Sequence, residues 1–219
     1  MISHRITDFL ESLKKNNNRE WFEKNKSWYD EAKKEFDNFT AKLITVVGKI
    51  DKDIAYLEPK ECTFRIYRDI RFSPDKTPYK TNFGAYLVKG GKKSNFAGYY
   101  FHIEPGSNML AGGIYMPMPD ILKKLRMEIY ENIDEFLEIV ENPTFIKHFG
   151  QIDDDAKLKS PPKDFPNDFP HIEYLKFKNY SVAKNLSSQM IHSNKLMDEV
   201  ITVYTVLKPL NKFLNNALS

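Results

Sequence analysis

AGYYFHIEPGSNMLAGGIYM, residues 97–116, is the stretch that decides the fold. Two runs of period-two alternation, 97–104 and 109–116, flank Glu104-Pro105-Gly106-Ser107, whose proline and glycine mark a turn. The pair predicts an antiparallel hairpin. Working upstream, residues 83–89 alternate in the same way and are set off by Gly90-Gly91, and residues 63–69 form an earlier candidate strand. Downstream, residues 180–186 make a further candidate. The reading is an antiparallel meander of about four to five strands.

Helical patterns flank the strands. Ile6, Phe9, Leu10 and Leu13 share a face over residues 6–15, and Phe22, Tyr29, Ala32, Phe36, Phe39, Leu43 and Val46 recur at three- and four-residue steps over 19–50. The period returns over residues 119–141 and again from about residue 194, where Pro209 is expected to kink or break the last helix. Prolines 161, 162, 166 and 170 exclude regular structure there and predict an extended surface strap. With no repeat and no linker-like tract, the expected fold class is α+β. It is a single domain over residues 1–219, with the sheet flanked by N-terminal, central and C-terminal helices.

The bulk properties narrow the function classes. A hydrophobic fraction of 41% supports a packed core, and a net charge of +3 gives no strong field toward nucleic acid or an anionic membrane. No run approaches the roughly 20 apolar residues of a membrane span, and residues 1–15 lack the layout of a secretory signal. A cytoplasmic location and no membrane partner are expected. The single cysteine, Cys62, reads as a buried structural thiol rather than a nucleophile. No phosphate loop or nucleophile elbow is present, so no cofactor is called for.

Alternation sorts the strand residues into two faces. Phe64, Ile66, Phe83, Ala85, Leu87, Tyr99, Phe101, Ile103, Leu110, Ile114 and Met116 are assigned to the core. Arg65, Tyr67, Asp69, Tyr86, Tyr100, His102, Glu104 and Tyr115 fall on the opposite face, which is either a partly open cleft or a surface covered by other parts of the protein. His102 and Glu104, two apart on one strand, are the candidate general acid/base pair. A third ligand is missing at any diagnostic spacing, so no metal site is assigned.

Beside that face lies a charged segment. Arg65, Arg68, Arg71, Lys76 and Lys80 stand against only Asp69 and Asp75, and Ser73-Pro74-Asp75-Lys76 and Thr77-Pro78 constrain the loop that carries them. Arginine forks suit carboxylate or phosphate. The segment is therefore either an anion site or an internal ion-pair network. As a site, its ligand-binding residues are Arg65, Tyr67, Arg68, Arg71, Lys76, Tyr79, Lys80 and Tyr100.

At these residues the chain resembles the conserved hypothetical family known as domain of unknown function 2461. The resemblance rests on NNREWFEKNK (17–26), FRIYRDIRFSPDKTPYKTNFG (64–84), GYYFHIEPG (98–106), AGGIYMP (111–117) and LKSPPKDFPNDFPHIEYLK (158–176). It implies one full-length domain of bacterial type and carries over no catalytic residue. The leading expectation for function is binding or processing of a small anionic ligand, phosphorylated molecules included, at the Arg/Lys/Tyr-rich site. The alternatives are a nucleic-acid module, less favoured because the basic residues form no long stripe, and a protein-interaction scaffold using the tyrosine-rich face.

Overall fold

The computed structural model describes residues 1–152 and 156–219. Its centre is a four-stranded antiparallel sheet, β1 (Phe83–Leu87), β2 (Gly98–Ile103), β3 (Asn108–Ile114) and β4 (Tyr180–Leu186), in the order β1-β2-β3-β4. The register sets Phe83 opposite Ile103, Phe101 opposite Leu110 and Leu110 opposite Lys184. The hairpin read from residues 97–116 is thus the β2–β3 pair, and the fold is α+β with a four-stranded meander.

The helices are α1 (His4–Lys15), α2 (Arg19–Lys24), α3 (Lys26–Ile50), α4 (Pro59–Cys62), α5 (Pro119–Glu131), α6 (Ile133–Val140), α7 (Pro143–Phe149), α8 (Ile172–Leu175), α9 (Ser188–Ile191) and α10 (Leu196–Asn216). The apolar stripes seat α1, α3 and α10 on the inner face of the sheet. Phe36 meets Phe83 at 5.3 Å between ring centroids, Phe39 meets Phe101 at 4.9 Å, and Tyr204 meets Tyr99 at 5.0 Å. Gly112 lets α10 come close: a Cβ there would lie 2.3 Å from the Leu207 side chain. Gly113, at φ 93°, likewise leaves no room for a side chain, since a Cβ would lie 2.1 Å from the Tyr180 carbonyl.

A polar clasp fixes α10 across the end of β2. Asn211 Oδ1 accepts from the Gly113 N–H at 3.0 Å, and its Nδ2 donates to the Gly98 carbonyl at 3.0 Å. Asn215 bonds both backbone groups of Ala97, and the Tyr204 hydroxyl donates to the Tyr100 carbonyl at 2.8 Å. These side chains satisfy backbone groups that would otherwise be buried unpaired.

Several expectations need correction. Residues 63–69 are not a strand; they make only isolated bridges, Thr63 to Ala85 and Tyr67 to Tyr79. The facing chain carries Pro78, which has no N–H to give, so the ladder stops after Arg68 N–H to Pro78 O and Lys80 N–H to Ile66 O. The helix expected over 19–50 divides at Asn25, whose side chain donates to the Trp21 carbonyl and so ends α2. That over 119–141 divides at Asn132, at φ −123° and ψ 43°. Helix α10 runs unbroken through Pro209, because Pro209 and Thr205, whose carbonyl loses its partner, are both exposed to solvent. The proline strap does lack regular structure, and it packs Phe165 and Phe169 against Tyr130. Met116, assigned to the core, is 71% exposed. Among the described residues no helix is long and apolar enough to cross a membrane.

Candidate functional site

The outward alternation of β2 carries Tyr100 and His102, and Glu104 follows directly. The three side chains are joined in series. The Tyr100 hydroxyl lies 2.8 Å from His102 Nδ1, and His102 Nε2 lies 3.3 Å from Glu104 Oε2. Thr81 Oγ1 donates to the other carboxylate oxygen, Oε1, at 2.5 Å. Glu104 can only accept when ionised, so Nε2 carries the imidazole proton and Nδ1 accepts from Tyr100. The result is a directed chain from phenol to imidazole to carboxylate.

Burial sets the proton affinities along it. His102 is 8% exposed, and desolvation lowers its pKa against the opposing pull of Glu104, keeping the ring neutral. Burial, then the Glu104 charge, pushes the Tyr100 phenol up to about 12. The inner-face neighbours Tyr99, Phe101 and Ile103 are fully buried, so the strand that presents the chain is held rigidly from behind. The Tyr100 ring also lies over Gly84, where a Cβ would come within 2.5 Å of the hydroxyl.

Phe64 borders this chain, edge-on to Tyr100 at 6.3 Å between centroids. Lys80 Nζ sits over the same Phe64 ring, 5.3 Å from its centroid. Burial and, secondarily, the nearby Arg65 charge lower the Lys80 pKa. Neither Lys80 nor Arg65 has an ion-pair partner among the described residues. Arg65 is exposed and Lys80 half-buried.

The rest of the charged segment is committed internally. Arg68 bonds Asp75, Ser73, and both the hydroxyl and carbonyl of Thr77. The Thr77 backbone N–H, with the Arg68 and Thr77 side chains, holds Asp75 down to about 2. Arg71 forms a two-pronged pair with Asp69, and Lys76 donates to the Ile70 carbonyl at 3.0 Å. Tyr79 is buried, stacked on Phe22 at 3.9 Å, and Tyr67 packs edge-on to Phe22. The residues brought together are therefore Tyr100, His102 and Glu104, with Lys80 joined to them through Phe64 and Arg65 near enough for its charge to act on Lys80. Arg68, Arg71, Lys76 and Tyr79 pin the loop that presents them, and Tyr67 lies at its base.

Two members of the cluster were not among the sequence candidates. Alternation assigns Phe64 to the core, yet it bridges Lys80 and Tyr100. Thr81 carries no assignment in the sequence; continuing the β1–β2 register beyond Phe83 and Ile103 sets Asn82 opposite Glu104 and Thr81 one residue further, from where its hydroxyl reaches the carboxylate. Among the described residues no three His, Cys, Asp or Glu side chains converge so as to hold a metal ion.

A family model described as a conserved hypothetical protein, DUF2461, matches residues 5–213. No curated protein and no solved structure matches the chain.

Proposed function

The chain belongs to the DUF2461 family, whose description assigns no activity, and we propose that it binds and processes a small anionic ligand at Arg65 and Lys80. The observation that carries this reading is the pair itself: two neighbouring cations without a carboxylate between them, beside the Tyr100–His102–Glu104 chain. Cations left unpaired next to a half-buried surface are suited to a carboxylate or phosphate supplied from outside. The chain gives the bound ligand a proton donor and acceptor: Tyr100 hands its proton to neutral His102, and Glu104 stabilises the imidazolium that forms. Arg68, Arg71 and Lys76 serve this reading as the frame of the loop. The same reading keeps the protein in the bacterial cytoplasm.

The test is a thermal-shift screen of phosphate esters, dicarboxylates and short oligonucleotides on the wild type, Arg65→Ala and Arg68→Ala. A ligand at about 100 times its Kd stabilises by about 2.7 kcal/mol, roughly 5–10 °C for a chain of this size. Arg65→Ala is expected to melt like wild type and lose the shift. Arg68→Ala is expected to melt lower even without ligand, because Asp75, Ser73 and Thr77 lose their common partner. The absence of a shift with every anion, or a full shift in Arg65→Ala, refutes the assignment. A shift confined to oligonucleotides makes the partner a nucleic acid.

A further inference from the structure

We propose that Lys80 is an imine-forming amine and that the anionic ligand is a 2-oxo acid, its carboxylate on Arg65 and its carbonyl carbon presented to Lys80 Nζ. This inference rests on the anion site proposed above.

The other lysines withdrawn from solvent each hold an oxygen: Lys33 the carboxylate of Asp37 at 2.5 Å, Lys184 that of Glu199 at 2.6 Å, Lys26 and Lys176 those of Asp30 and Glu173, and Lys92 the Lys60 carbonyl. That is the ordinary way to keep an ammonium out of water. Lys80, also half-buried, has an aromatic face below it and a second cation nearby. Both desolvation and the Arg65 charge favour the neutral amine, and a neutral lysine is a nucleophile toward carbonyl carbon.

A site that only held an anion would have no use for a proton chain. Imine formation does. The Nζ lone pair forms the C–N bond as the carbonyl π pair moves to oxygen. Both Nζ hydrogens and that oxygen then leave as one water, so amine and ketone give imine and water with no oxidant or reductant. Those proton transfers need a donor and acceptor beside the carbonyl oxygen. Phe64 places Tyr100 on its edge and Lys80 on its face, and Tyr100 is already bonded to neutral His102. Arg65, whose charge reaches Lys80, supplies the fork for the carboxylate.

The experiment incubates the protein with pyruvate, adds sodium borohydride to reduce any imine, and reads intact mass and peptide maps. The expected result is one reduced pyruvyl group per chain, on Lys80. Lys80→Arg, which keeps the cation, is expected to lose the adduct while melting like wild type. Arg65→Gln is expected to cut trapping of pyruvate about tenfold, the scale of one lost charged hydrogen bond, and to leave trapping of uncharged propanal unchanged. Labelling spread over many lysines, or an adduct that persists in Lys80→Arg, overturns the proposal. If pyruvate and inorganic phosphate raise the melting temperature in an Arg65-dependent way but no adduct forms, the imine is refuted and the anion site stands. If neither anion shifts the melting temperature and no adduct forms, both fall.

Discussion

Replacing Asn211 by alanine tests whether α10 is held to the sheet by specific hydrogen bonds or by apolar burial alone. Asn211 is 1% exposed, and its amide is the partner of both the Gly113 N–H and the Gly98 carbonyl. Truncation leaves a donor and an acceptor stranded in a buried position where Leu207 closes over the strand. Each stranded group costs about 1–3 kcal/mol, so the variant should lose about 4 kcal/mol, or roughly 8–16 °C in Tm. Asn215→Ala is the control. Asn215 is half-buried and bonds Ala97, so water can replace much of what is lost and the cost should stay near ~1 kcal/mol. Urea unfolding followed by the fluorescence of Trp21 and Trp28 measures both. A loss below ~1 kcal/mol for Asn211→Ala, or equal losses for the two variants, would refute the clasp.

Two further predictions concern buried titrating groups. His102 has a pKa lowered below the unfolded value of 6.5 by burial. The unfolded chain therefore takes up its proton first on acidification, and stability is lost as pH falls through 6.5 and onward to the folded pKa. His102→Gln should flatten that part of the pH–stability curve, and a His102 NMR titration midpoint at or above 6.5 would contradict the reasoning. Burial pushes the Cys62 thiol up to about 12 and closes it to solvent. A thiol reagent at about pH 8 should leave native Cys62 unmodified and label it promptly in urea; rapid native labelling would mean the α4 region opens.

The sheet was legible because β2 and β3 obey one rule along their whole length. Tyr99, Phe101 and Ile103 had to go inward, and Pro105-Gly106 had to turn. Residues 63–69 deceived the same rule. Their alternation is that of a strand, but a strand needs a donor-rich partner, and Pro78 deprives it of one. The Asn25 and Asn132 breaks were invisible to periodicity, since the apolar stripe continues across both. His102 and Glu104 could be paired from sequence because i and i+2 share a strand face. Which cations stay without an ion pair could not, because that depends on loop closure: Arg68 finds Asp75 across a turn, whereas Lys80 comes to lie over Phe64 and Arg65 reaches Asp69 only through its field. Phe64 escaped for a related reason, having left the sheet where alternation no longer assigns a face.

The late arrival of β4 has a consequence for biosynthesis. Strands β1 to β3 are joined by short connections and can pair as soon as residues 83–114 are free of the ribosome. Their outer edge, on β3, then waits while residues 115–179 are translated, because its partner Tyr180–Leu186 lies beyond them. During that interval the nascent chain displays an unpaired strand, with Gly112 and Leu110 still uncovered because α10 is made last. Polypeptides released before residue 180 would keep that edge permanently and adhere to one another through it.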